Sequence, residues 1–208
     1  ALPHTAPQNA DTLLAPSSPY RLPKLSPHRL IHTYRDGYSI HGSNGILFNH
    51  ESPRRGDNFV TRKITIAMAN IAKGKQEFLG IGNLESKRDW GYAKDYVEAQ
   101  WLILQQDEPD DYVIATGKAY SVREFIENAS RVAGFDLAWE GEGMDEVGRD
   151  RKSGKVIVKI DKDFYRPTDP MCLLGDPTKS KKKLGWSPRT SFEELVELMV
   201  KADLDAIK

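Results

Sequence analysis

The sequence has few of the residues that build several common kinds of site. A single cysteine, Cys172, occurs among 208 residues, which excludes an internal disulfide and any cysteine-rich metal site. The 30 basic residues match the 30 acidic residues in number, whereas general nucleic-acid-binding proteins usually carry a basic excess. No apolar run approaches the roughly 18 residues of a membrane-spanning helix, and the start has no apolar stretch of a signal peptide. We therefore expect a soluble cytoplasmic protein with neither a nucleic-acid nor a membrane partner.

A glycine-rich phosphate-binding pattern is also absent from the sequence. Dinucleotide-binding folds carry Gly-x-Gly-x-x-Gly between a strand and a helix, where it approaches the cofactor pyrophosphate. Gly80-x-Gly82 is too short a match to this pattern. The 208 residues therefore contain no predicted site for a cofactor pyrophosphate.

The apolar pattern predicts helices and strands in alternation. Apolar residues make up 39% of the chain and charged residues 29%, which is enough for a sizeable core. Periodicity and turn residues predict helices over 59–73, 94–106, 121–132, 178–184 and 191–207, weaker helical spacing over 24–38, and strands over 45–49, 77–79, 111–116 and 155–160. This alternation indicates an α/β protein: a partial doubly wound (Rossmann-like) domain lacking its amino-terminal half, plus a small α/β lobe.

The helix predicted over 94–106 is amphipathic, with an apolar stripe expected to face the core. The residues assigned to that stripe are Tyr96, Val97, Trp101 and Leu104.

The first 41 residues differ in composition from the rest. They contain four of the five histidines, and residues 1–27 alone contain six of the twelve prolines. We interpret 1–41 as a degenerate or irregular segment and 42–208 as the carboxy-terminal part of the fold. The four histidines form no metal-ligand pattern on a confidently predicted scaffold, and no metal site is expected.

Tyr20 and Lys24 form a Tyr-x-x-x-Lys pair within that first segment. Residues four apart share one helix face, and an ammonium near a phenol lowers the pKa of the phenol. A phenolate near neutral pH can act as a general base toward a sugar hydroxyl. The pattern is common by chance, so a surface pair is the alternative. Pro23 and Pro27 are expected to distort the helix.

Arginine-containing segments follow three of the predicted strands. Residues 49–56 follow a strand and include the adjacent Arg54 and Arg55, which suits phosphate binding at the carboxyl end of a sheet. Residues 88–90 and 165–167 each place an arginine beside an aromatic residue, in predicted loops. The alternatives are a solvated basic loop in the first case and structural cation–π packing in the other two.

In their order along the chain, these motifs resemble those of the GDP-mannose 4,6-dehydratase family of extended short-chain dehydrogenases/reductases. The resemblance is specific over about 42–208 and fainter over 7–41. It rests on residues 45–56, 59–64, 87–91, 93–97, 113–117 and 165–167.

The resemblance implies a carbon–oxygen lyase that converts GDP-mannose to GDP-4-keto-6-deoxymannose and water through an internal hydride cycle on NADP. Tyr20 would be the catalytic base and Lys24 its partner, which also binds the cofactor. His50 and Arg55 would contact NADP. The implied GDP-mannose contacts are Asn49, Val60, Lys63, Arg88 and Arg166.

The family also implies a homo-oligomer, either a dimer or a tetramer. Its glycine-rich half and its elimination residues would precede residue 1, so the 208-residue chain is predicted to be inactive alone. Two alternatives remain open at this point: a non-catalytic nucleotide-sugar-binding or subunit-interaction module, and a related nucleotide-sugar epimerase.

Overall fold

A computed structural model describes residues 6–14, 22–164 and 171–207. Its α-helices are α1 Leu22–Tyr38, α2 Val60–Ala72, α3 Ala93–Ile103, α4 Val122–Val132, α5 Thr178–Leu184 and α6 Phe192–Ala206. Its strands are β1 Asn44–Leu47, β2 Asn49–Glu51, β3 Leu79–Ile81, β4 Lys87–Arg88, β5 Trp90–Tyr92, β6 Asp111–Ile114, β7 Tyr120–Ser121, β8 Leu137–Glu140, β9 Val147–Asp150, β10 Val156–Ile160 and β11 Cys172–Leu173. The predicted α/β class is confirmed. Among the described residues, no helix is both long and apolar enough to span a bilayer.

The chain forms two compact units from interleaved segments. Unit 1 is built from residues 1–50, 88–119 and 172–190. Unit 2 is built from residues 51–87, 120–171 and 191–208. The predicted segment 1–41 lies wholly within unit 1.

Unit 1 is organised around a parallel pair of strands, β1 and β6, in register from Asn44 opposite Asp111 to Leu47 opposite Ile114. Helices α3 and α5 pack on these strands. The Tyr96 ring meets the Trp186 ring edge-on at 5.8 Å between centroids. The core cluster contains Tyr96, Ala99, Ile103, Tyr112, Ile114, Leu184 and Trp186. Parallel strands covered by helices are the arrangement expected of a doubly wound domain.

Helix α1 is continuous over residues that the sequence predicted to be irregular. Pro23 lies in its first turn, where a missing N–H is tolerated, and Pro27 lies inside the helix. Of the α1 residues, none is buried. Over 22–38 the helix therefore runs past both prolines without a break, and polar contacts described below hold it.

Unit 2 packs helices against a four-stranded sheet. The strand order is β3-β10-β9-β8, with β10 parallel to β3 and antiparallel to β9. Helices α2, α4 and α6 contact one another through fully buried side chains that include Met68, Phe125 and Met199. Ser121 and Ser191 form capping boxes with the glutamates three residues on, at the starts of α4 and α6.

The predicted buried face of α3 is wrong. Val97, Trp101 and Leu104 are 61%, 61% and 62% exposed, whereas Ala99 and Ile103 are buried with Tyr96. The reason is that Ala99 and Ile103 share a face with Tyr96, and this face packs toward the β1–β6 strands, so Val97, Trp101 and Leu104 lie on faces that point away. Trp101, expected in the core, is thus a surface residue.

Several strands were missed in the sequence. Residues 88–90 were expected in a loop, but β4 and β5 flank Asp89. The β8–β9 hairpin was also missed because β9, Val147–Asp150, alternates poorly and ends in two charged residues. Pairing with β8 and β10 decides its conformation.

Candidate functional site

The residues singled out from the sequence are distributed over both units. Tyr20 and Arg166 lie outside the described residues. Unit 1 holds Lys24, Asn49, His50 and Arg88, and unit 2 holds Arg55, Val60 and Lys63.

A basic and aromatic cluster lies at the start of α2 in unit 2. The Arg55 guanidinium carbon lies 3.6 Å from the centroid of the Phe59 ring, and its Nε is 3.3 Å from Glu51 Oε2. Glu51 is 1% exposed and accepts a 2.6 Å hydrogen bond from Thr61 Oγ1. This buried carboxylate therefore fixes both the arginine and the first turn of the helix.

Lys63 carries the least satisfied cation of this cluster. Its Nζ lies 2.9 Å from the centroid of the Phe164 ring and, among the described residues, the buried Nζ has no hydrogen-bond partner. Burial lowers the pKa of Lys63 from its ordinary 10.5, and the charge of Asp161 opposes that shift. A bound anion would supply the bonds that this ammonium needs when it leaves water.

The amino terminus of α2 adds to the positive potential. Its N-cap residue, Phe59, makes no side-chain capping bond, so the first amides of the helix are available to a ligand. The helix dipole favours negative charge at this end. Arg55, Lys63 and these amides together are suited to bind phosphate oxygens.

In unit 1, a buried aspartate fixes the segment that carries Arg88. Asp89 is 0% exposed and accepts bonds from the Thr116 amide at 2.8 Å, the Thr116 hydroxyl at 2.7 Å and the Gly117 amide at 3.0 Å. Burial raises the pKa of Asp89, although these bonds oppose the shift. The backbone between β4 and β5 is therefore held firmly beside the half-buried Arg88.

His50 is oriented by its own strand. Its Nδ1 lies 2.9 Å from the Phe48 carbonyl, so Nδ1 donates to that oxygen and the ring is held in one orientation. Its ring lies 5.5 Å from that of Tyr96. A Cβ at Gly91 would lie 2.3 Å from the Tyr96 ring. Glycine at position 91 therefore allows the backbone to lie close to that ring.

Sequence reasoning missed three members of the unit 2 cluster. Glu51 and Arg55 are spaced i, i+4, a local signal that could have paired them. Thr61 lies ten residues after Glu51, in the first turn of α2. Phe164, about a hundred residues away along the chain, is placed against Lys63 only by the fold, and no local signal indicates it.

Solved structures of other proteins show which fold the chain has. The structure of RMD from Pseudomonas aeruginosa complexed with NADPH superposes with a TM-score of 0.82 at 18% identity. The match covers 98% of this chain and 62% of the RMD chain. The dTDP-glucose 4,6-dehydratase of Bacillus anthracis gives 0.76 at 19% identity, covering 96% and 56%. The fold is thus a Rossmann-like α/β fold, and the chain matches only part of each of these structures.

Sequence similarity identifies the family. The family model described as GDP-mannose 4,6 dehydratase matches residues 2–199, and the chain belongs to this family. It is 52% identical over 202 residues to the GDP-mannose 4,6 dehydratase of Homo sapiens, covering 97% of this chain and 54% of that protein. The Yersinia enterocolitica enzyme is 47% identical over 212 residues, covering 97% and 57%. The predicted resemblance is confirmed, and the chain spans about half the length of the curated relatives it matches.

Proposed function

We propose that this chain supplies the carboxy-terminal, nucleotide-sugar-binding part of a GDP-mannose 4,6-dehydratase. The observation that carries the proposal is the cluster at the start of α2, where the buried Lys63 ammonium has no hydrogen-bond partner among the described residues. The family membership supplies the identity of the anion, the diphosphate of GDP-mannose. As in the family implied by the sequence, we place the enzyme in the cytoplasm as a homo-oligomer.

The substrate contacts proposed are Asn49, Val60, Lys63, Arg88 and Arg166, with the two arginines and Lys63 on the diphosphate. For Lys63 the support is the burial of its Nζ, which has no hydrogen-bond partner in the part of the chain that the structure describes. For Arg88 the support is the rigid Asp89 turn beside it. Asn49 and Val60 rest on their positions in the family motif.

NADP is the cofactor proposed, and it would accept and return the hydride of the reaction. The residues present could contact part of this cofactor. The His50 ring is oriented by the Phe48 carbonyl, Lys24 is exposed, and Arg55 is fixed by Glu51 and Phe59. The sequence has no Gly-x-Gly-x-x-Gly for the pyrophosphate, so these 208 residues are expected to hold only one end of the cofactor.

The proposed catalytic pair is Tyr20 with Lys24. Lys24 lies in the first turn of α1, and its ammonium would lower the pKa of the Tyr20 phenol. Tyr20 would then remove the proton of the sugar C4 hydroxyl as a general base.

Calorimetric titration with GDP-mannose tests the binding half of the proposal. Lys63→Met should weaken binding about 10- to 100-fold, the effect of losing one charge-assisted bond to phosphate. Lys73→Met is the matched control, because Lys73 is an exposed lysine at the other end of the same helix. Equal affinities for the two variants would contradict the assignment.

Turnover separates the dehydratase from a non-catalytic binding module. We expect no formation of the keto sugar by the 208-residue chain with NADP supplied, and turnover when the amino-terminal residues of the human relative are provided as a second polypeptide. That turnover should be lost in Tyr20→Phe. Binding of GDP-mannose with no turnover in the reconstituted mixture would favour the binding module.

A further inference from the structure

Two histidines and an aspartate converge where α1 meets β6 in unit 1. His28 and His32 are one turn apart on α1, and Asp111 begins β6. Asp111 Oδ2 lies 2.6 Å from His32 Nε2 and 4.0 Å from His28 Nε2. The two imidazole rings are 4.9 Å apart between centroids. One potential ligand atom from each residue lies within 4.8 Å of the others.

The other oxygen of Asp111 is fixed by separate donors. Arg35 Nη2 donates to Oδ1 at 2.5 Å and Asn44 Nδ2 donates at 3.1 Å. Only 9% of the Asp111 side chain is exposed. The carboxylate is therefore held with Oδ2 directed at the histidines, as outer hydrogen bonds hold the ligands of metal sites.

A cavity of about 290 Å³ borders the same three residues. Its remaining lining comes partly from residues 10–14 and includes Asp110 and Lys179. It leaves room for a solvent molecule next to the ligand atoms.

We propose that His28, His32 and Asp111 form a binding site for Zn²⁺, with a water molecule from the cavity as the fourth ligand. Paired imidazoles favour zinc over calcium or magnesium, which prefer oxygen ligands. Tetrahedral zinc with bonds of about 2.0–2.1 Å places its ligand atoms roughly 3.3 Å apart. The observed Asp111–histidine separations of 2.6 and 4.0 Å lie on either side of that value, and all three ligand atoms lie within 4.8 Å of one another, so side-chain rotation would bring them to one ion.

The ion would join α1 to β6. Since α1 has no buried residue among those described, its polar contacts with Asp111 carry much of its attachment. The sequence suggested no metal pattern because α1 was not confidently predicted and because Asp111 is 79 residues from His32. The site is independent of the proposed nucleotide-sugar binding.

Titration of the chelator-treated chain with zinc chloride, in competition with a chromophoric zinc indicator, tests the site. We expect one ion per chain, bound more tightly than about 10 µM. Magnesium in excess should not compete. Co²⁺ in place of zinc should give the visible absorption bands of a four-coordinate ion.

Two substitutions separate this site from adventitious binding. His28→Gln should weaken zinc binding at least about tenfold while leaving the Asp111 bonds to His32 and Arg35 in place, so the variant should fold. His41→Gln, an exposed histidine of the same unit, should bind zinc as the parent chain does. Failure of the parent chain to bind zinc, or unchanged affinity in His28→Gln with normal circular dichroism, would overturn the proposal.

Discussion

Asp89 shows how a buried charge can hold a functional segment in place. Its carboxylate accepts bonds from Thr116, Gly117 and Gly175, the last at 3.3 Å. In Asp89→Ala these buried donors lose their acceptor, so the free energy of unfolding should fall by about 3 kcal/mol or more. Chemical denaturation measures this change.

The control for that substitution is Asp107→Ala. Asp107 is exposed, and its removal should change the free energy of unfolding by less than about 0.5 kcal/mol. If Asp89→Ala is as mild as Asp107→Ala, the carboxylate does not organise the β4–β5 turn.

Lys63 should give nucleotide-sugar binding an unusual dependence on pH. The charged ammonium binds the anion, and burial lowers the pKa of Lys63 below its ordinary 10.5. The charge is therefore complete at low pH and is lost as the pH rises through the lowered value. We expect GDP-mannose affinity to decline through the alkaline range, at a pH below that of an ordinary lysine.

Lys63→Arg is the matched variant for this pH dependence. Arginine stays charged over the whole range, so its affinity should be nearly flat from about pH 7 to about pH 10, measured by calorimetry. A parallel alkaline decline in both proteins would assign the effect to another group.

At the scale of elements, substitutions at two adjacent residues at the end of α3 distinguish its buried face from its exposed face. Ile103 is 4% exposed and the adjacent Leu104 is 62% exposed. Ile103→Ala should lower the free energy of unfolding by about 2–5 kcal/mol, and Leu104→Ala should change it by less than about 0.5 kcal/mol. Thermal or chemical denaturation distinguishes them, and the reverse order would restore the face predicted from the sequence.

The helices that the sequence predicted correctly have strong local signals. Ser121 and Ser191 each begin a helix with a glutamate three residues on, and both capping boxes form. The sequence could not orient α3, because its apolar residues occur on two faces and only contact with β1 and β6 selects one. Nor could it join Lys63 to Phe164, or His32 to Asp111, since each pair is distant in sequence and meets only in the fold.

At the scale of the whole chain, the two units are assembled from three segments each. No single cut of the chain would therefore release either unit whole. The family match nevertheless runs continuously over residues 2–199. The sequence predicted the family and the fold class from motif order. The interleaving of the two units was not predicted. The chain passes from one unit to the other and back, and contacts between segments far apart in sequence determine where it does so.

The positions of the two proposed sites in the chain predict which segments each ligand protects from hydrogen exchange. Hydrogen exchange measured by mass spectrometry should show zinc slowing exchange in α1 and β6, which carry its three proposed ligands. GDP-mannose should instead slow exchange at the first turn of α2, where Lys63 lies, and at residues 49–50 and 88. The physical reason is that a bound ligand suppresses local opening of the elements it contacts. With His28→Gln, the zinc effect should vanish while the GDP-mannose effect persists. If both ligands slowed exchange in the same segments, or if His28→Gln abolished both effects, the two proposed sites could not be separate.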